Sequence, residues 1–192
     1  MIERPRAVFL DRDGTLNPDP GYIRRPEDFF LFPGVGEYLF RLKKAGFLLI
    51  LVTNQSGIAR GLIPPRSLCN IHHKLQSELL KSGTSLDRIY VCPHHPDFPP
   101  AQIDNAECGC RKPSPGLILK AIADLHIDPA KSFMVGDRDI DALMGIAAGV
   151  FPIVITRSFP KSLEGKNCHL APTLEAAVDF ILNHSDKKTQ TK

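Results

Sequence analysis

The sequence predicts an α/β fold, a parallel sheet flanked by helices in one compact domain. Three observations lead there. Short β-type runs alternate with helical stretches along the chain, as repeated βαβ units require. Residues 47–52 are an unbroken apolar run, the pattern of a strand buried on both faces of a parallel sheet. Polar residues follow apolar strands immediately at three places, and the strand ends of an open α/β sheet are where ligands bind.

The elements follow in order. Residues 7–10 form the first predicted strand. Residues 35–45 have an amphipathic helical pattern stopped by Gly46, and the apolar strand 47–52 comes next. A helix is expected over 65–81, a strand over 88–91, a helix over 115–125 and a strand over 132–135. The helix 140–148 ends at Gly149, and 151–155 is a further strand. Two stretches break this rhythm, 16–33 and 93–110, both rich in Pro, Asp and Gly and both placed after strands. No segment the size of a cap domain intervenes, so these insertions are expected to shape an open site. The single domain is expected to span 1–182, with the polar stretch 183–192 as a flexible tail.

A chain of 192 residues with 43% hydrophobic content can bury one good core. The formal charge of +3 comes from scattered Lys and Arg, which excludes a basic nucleic-acid surface and suits a small anionic substrate. No apolar stretch nears the length of a membrane span and no signal-peptide pattern opens the chain, so a soluble cytoplasmic protein is expected, and a monomer. Of the five cysteines, three fall in one cluster described next, leaving Cys69 and Cys168 as expected reduced, partly buried thiols.

Asp11 and Asp13 share one face of an extended segment, where their repulsion needs a cation to relieve it; Mg²⁺ is the expected one. Asp137 is a further hard oxygen ligand, so the magnesium set expected from sequence is Asp11, Asp13 and Asp137. Cys92, His94, Cys108 and Cys110 stand as C-x-H-x13-C-x-C. Such a Cys3His set closes a tetrahedron with no position left for water, so a structural zinc that shapes the second insertion is expected.

In order along the chain, Asp11-x-Asp13-Gly14-Thr15, Val52-Thr53-Asn54, Lys112-Pro113 and Gly136-Asp137-x-x-x-Asp141 resemble the four motifs of the haloacid dehalogenase superfamily of phosphatases. The resemblance covers nearly the whole chain and implies a Rossmann-like sheet. Gly21-Tyr22, the run from Thr53 to Gly61 and the zinc-type cluster followed by Arg111-Lys112-Pro113 are similar to a narrower group within it, acting on sugar bisphosphates. That resemblance implies Asp11 as nucleophile and Asp13 as general acid and base. It implies substrate contacts from Asp19, Gly21, Tyr22, Thr53, Asn54, Gln55, Ser56, Arg111, Lys112 and Arg138. The implied activity is magnesium-dependent removal of the 7-phosphate of a heptose 1,7-bisphosphate. Histidinol phosphate is the alternative substrate, and a non-catalytic zinc-stapled binding module the alternative from another class.

Overall fold

The computed structural model describes residues 4–98 and 108–189; the middle of the zinc-type loop, 99–107, and the end of the expected tail, 190–192, lie outside the described residues. Six parallel strands form one sheet: β1 (Arg6–Leu10), β2 (Phe47–Asn54), β3 (Arg88–Cys92), β4 (Phe133–Gly136), β5 (Phe151–Ile155) and β6 (His169–Ala171). Their spatial order is β3-β2-β1-β4-β5-β6. The order reverses between β1 and β4, which opens a crevice at their C-terminal ends. The helices are α1 (Val35–Lys44), α2 (Pro65–Leu80), α3 (Gly116–Leu125), α4 (Asp139–Ala147) and α5 (Leu174–Thr189).

Both faces of the sheet are covered, and strand alternation divides the core in two. Val8, Leu10, Leu49, Leu51, Phe133 and Val135 pack with α1, α2 and α5. Ala7, Phe9, Ile50, Val52 and Met134 pack with α3 and α4. This is why the strands read as continuous apolar runs: each residue, odd or even, meets a helix layer.

The predicted strands and helices all form, with ends shifted by up to two residues. Two elements carry no prediction from sequence, β6 and α5. The second carries Leu174, Ala177, Val178 and Ile181 into the core and continues as helix through residue 189. Cys69 is exposed, contrary to expectation, because it falls off the Leu68, Ile71, His72, Leu75, Leu79 stripe that α2 buries; Cys168 is half-buried. Among the described residues, no helix is long and apolar enough to cross a membrane.

Candidate active site

The crevice between β1 and β4 receives the acidic residues. Asp11 follows β1 directly and its backbone N–H donates to the Val135 carbonyl at 2.9 Å, fixing the end of one strand to the other. Asp137 follows β4, and Asp141 lies in the first turn of α4. Lys112 comes from the loop before α3. Its ammonium lies 2.6 Å from Asp11 Oδ1 and 2.8 Å from Asp141 Oδ1. All three are buried, with Lys112 5% exposed, Asp11 8% and Asp141 1%. The other Asp141 oxygen accepts from the Arg138 backbone N–H at 3.1 Å, so each of its oxygens already takes one donor.

Ligand oxygens of Asp11, Asp137 and Asp141 all lie within 4.8 Å of one another. Three carboxylates face one ammonium. Burial pushes Asp11 up to about 6, with Asp141 adding to the rise and Lys112 only partly offsetting it. Burial, then the Asp11 charge, push Asp137 up to about 6 as well. A divalent cation with oxygen preference fits this deficit of positive charge. Gly14 makes room for Asp137: its φ is +83°, and a Cβ there would run into the Asp137 carboxylate. Gly14→Ala is therefore expected to displace Asp137 and weaken divalent-cation binding by about 10–100-fold, measured as the shift in the cation concentration that half-saturates the site.

Asp13 lies outside this cluster. Its carboxylate accepts from Arg12 Nε at 3.0 Å and Arg12 Nη2 at 2.8 Å, from Asn17 Nδ2 at 2.9 Å and from Gln55 Nε2 at 2.9 Å. Four donors draw it away from Asp11, and in the described cluster Asp141 stands where the sequence places Asp13. Burial opposes the charge on Asp13, but the Arg12 charge and the hydrogen bonds from Arg12, Asn17 and Gln55 together outweigh it and hold its carboxyl below the usual range.

Cys92, His94, Cys108 and Cys110 converge, with ligand atoms within 4.8 Å of one another. His94 Nδ1 is 3.3 Å from Cys110 Sγ and 3.9 Å from Cys92 Sγ. Tetrahedral zinc separates sulfur and nitrogen ligands by about 3.5 Å, so the donor set and spacing fit that ion. The cluster is tied to the catalytic loops through its backbone. The His94 carbonyl accepts from Arg111 Nη1 at 3.1 Å, the Cys92 carbonyl from the Gln55 N–H at 2.7 Å, and the Pro93 carbonyl from the Ala59 N–H at 3.3 Å.

A cavity of about 430 Å³ opens over Asp11. Its lining gathers Asp13, Asp19, Gly21, Tyr22, Thr53, Asn54, Gln55, Ser56, Arg111, Lys112 and Arg138, candidate residues that the sequence spreads over several loops. Of the backbone donors around Asn54 to Ser56, that of Gln55 is already given to Cys92. Thr53 accepts from Gln55 Nε2 at 2.9 Å and keeps its own O–H to donate. Sequence reasoning missed the buried supports Arg12, Asn17 and His72. Of these, Arg12 carried a signal, as a charged residue between two catalytic-type acids.

Acids at the reversal point of a 3-2-1-4-5-6 sheet, with a buried lysine between them, define a phosphoryl-transfer site. Residues 109–177 match the HAD-hydrolase-like family. The chain belongs to the haloacid dehalogenase-like phosphatases and is a phosphoric monoester hydrolase. It is 42% identical to the D-glycero-β-D-manno-heptose-1,7-bisphosphate 7-phosphatase of Yersinia pestis, over 95% of this chain and 93% of that one. It is 46% identical to the corresponding enzyme of Haemophilus ducreyi, over 93% of each. The crystal structure of D,D-heptose 1,7-bisphosphate phosphatase from B. bronchiseptica, complexed with magnesium and phosphate, superposes with a TM-score of 0.80. It is 29% identical, over 93% of this chain and 99% of that one.

Proposed function

We propose that this chain removes the 7-phosphate of D-glycero-β-D-manno-heptose 1,7-bisphosphate through an aspartyl-phosphate intermediate. The observation that supports it most is the cavity in which the Asp11–Lys112 pair meets two further guanidinium groups, Arg111 and Arg138. A bisphosphate needs one anion site for chemistry and another for recognition, and planar guanidinium groups suit the second. The β anomer and the heptose come from the relatives at 42% and 46% identity.

Asp11 attacks phosphorus in line and carries the phosphoryl group. Lys112 neutralises charge on the transferring oxygens, and the Thr53 hydroxyl donates to one of them. Asp13 protonates the departing sugar oxygen and then takes a proton from the water that hydrolyses the intermediate. Asp11, Asp137 and Asp141 would hold Mg²⁺, which would supply positive charge beside the phosphoryl oxygens. Cys92, His94, Cys108 and Cys110 would hold Zn²⁺ as a structural ion, since four protein ligands fill its tetrahedral set, and it would keep the loop in the shape that presents Arg111.

The substrate assignment is tested by phosphate release from each anomer of heptose 1,7-bisphosphate beside histidinol phosphate, at matched concentrations with Mg²⁺. The β heptose is expected to win in kcat/KM by orders of magnitude. A preference for histidinol phosphate would replace the substrate and keep the mechanism. The zinc assignment predicts about one zinc per chain in protein purified without chelator, and a KM raised about tenfold or more after its removal. Zinc-free protein with an unchanged KM would count against it.

A further inference from the structure

The buried side chains under Asp13 form a network that substrate contacts do not explain. Arg12 is 1% exposed and makes a two-pronged pair with Asp13, at 3.0 and 2.8 Å. Its remaining contacts are neutral acceptors: Gln55 Oε1 at 3.1 Å from Nη2, and His72 Nε2 at 3.3 Å from Nη1. His72 comes from α2, sixty positions along the chain, and is 8% exposed. Burial, then the Arg12 charge, push the His72 imidazole down to about 4, so it stays neutral and can accept. Asp13 is the one carboxylate that Arg12 pairs with among the described residues.

Every group around the Asp13 carboxylate is a donor: two from Arg12, one each from Asn17 and Gln55. As these side chains are oriented, each presents an N–H to the carboxylate, so the seat favours the charged form over the acid. Asp13 lines the cavity over Asp11, so a proton transfer to a leaving-group oxygen there would draw its carboxylate from the Arg12 fork. Departure strips a buried guanidinium of its counter-charge, which is unfavourable and drives Asp13 back.

Accepting the acid–base role of Asp13 proposed above, we infer that Arg12, braced by His72 and Gln55, is a positioning residue that sets where Asp13 rests and draws it back after each proton transfer. Arg12 touches neither substrate nor phosphorus and acts through Asp13 alone. The pair with Asp13 and the brace satisfy a guanidinium that would be unfavourable to bury without partners.

The test is a double-mutant cycle of Arg12→Lys and Asp13→Asn, assayed with the sugar bisphosphate and with an aryl phosphate whose leaving group needs no proton. Formation of the phospho-enzyme is followed in single turnovers. Asp13→Asn alone is expected to slow that step with the sugar substrate by about 100-fold or more and with the aryl phosphate far less. Arg12→Lys should slow it by about tenfold with the sugar substrate, leave KM within about twofold, and spare the aryl phosphate. In the Asp13→Asn background Arg12→Lys should add nothing, because its target is gone. His72→Phe keeps Arg12 and removes only the brace, so it serves if Arg12→Lys fails to fold; the same pattern at about threefold is expected. Independent, multiplying effects, or equal losses on both substrates, overturn the positioning role while Asp13 keeps its own. If Asp13→Asn itself retains full activity on the sugar substrate, the acid–base reading falls and the inference with it.

Discussion

Asp11→Asn is expected to lower kcat by at least about 10⁴-fold while making the metal-free protein more stable. The first effect follows from loss of the attacking oxygen's charge, because a carboxamide cannot form the acyl phosphate. The second follows from the folded-state titration of Asp11 near 6, above its ordinary 3.8. A carboxyl raised in this way favours the fold in its acid form. That contribution is complete below the unfolded value and is lost as pH rises through about 6. At neutral pH the ionised group works against folding, and Asn removes the conflict. Thermal unfolding at pH 7.5 in chelator should show the variant raised by a few degrees, about 2–4 °C for each kcal/mol at this chain size. Saturating Mg²⁺ should narrow the gap. A variant with wild-type turnover removes Asp11 from the nucleophile role, and one less stable in chelator contradicts the charge argument.

Lys112→Met is expected to damage both activity and stability. The ammonium is the single cation between Asp11 and Asp141 among the described ion pairs, at 2.6 and 2.8 Å. Breaking a buried pair by removing one partner costs about 3–5 kcal/mol, because the remaining charge is left uncompensated. The midpoint of urea unfolding should fall accordingly, and less in Mg²⁺ than in chelator, since the ion supplies part of the missing charge. Turnover should fall by about 10³-fold from loss of transition-state neutralisation. Combining Lys112→Met with Asp11→Asn should restore much of the stability and none of the activity. Equal instability in the single and double variants would assign the loss to packing instead of charge.

The sheet was legible in the sequence because its central strands are buried on both faces, so that residues 47–52 could be read without knowing their neighbours. Strand β6 was not legible, since three residues at an edge carry no period and His169 is polar. Helix α5 had a signal: Thr173 Oγ1 accepts from the Ala176 N–H at 3.2 Å as a helix cap, and an apolar stripe follows. The acids at the strand ends were legible for the same reason as the strands, as each ends an apolar run. What could not be read was direction. The sequence places Asp11 and Asp13 on one face of an extended segment, but the chain bends at Arg12, and the Arg12 fork, the Gln55 amide and the Asn17 amide hold Asp13 aside. Those donors depend on α2 bringing His72 beneath the site to hold Arg12. Asp141 was visible as a motif letter, while its service to Lys112 appears only with α4 folded against the loop before α3.

The division of β1 between two helix layers has a consequence for how such a chain can vary over generations. Ala7 and Phe9 enter one layer, Val8 and Leu10 the other, and Asp11 continues the count. A deleted or inserted codon anywhere in 7–10 exchanges the layers for the rest of β1 and turns Asp11 to the wrong side of the sheet. Drift on this strand is thus confined to replacements of similar size, whereas the exposed turn at 18–22 can lengthen or shorten without disturbing the frame. Because Asp19, Gly21 and Tyr22 line the cavity, a change in the length of that turn alters the shape of the opening, while the alternation of β1 keeps Asp11 in place.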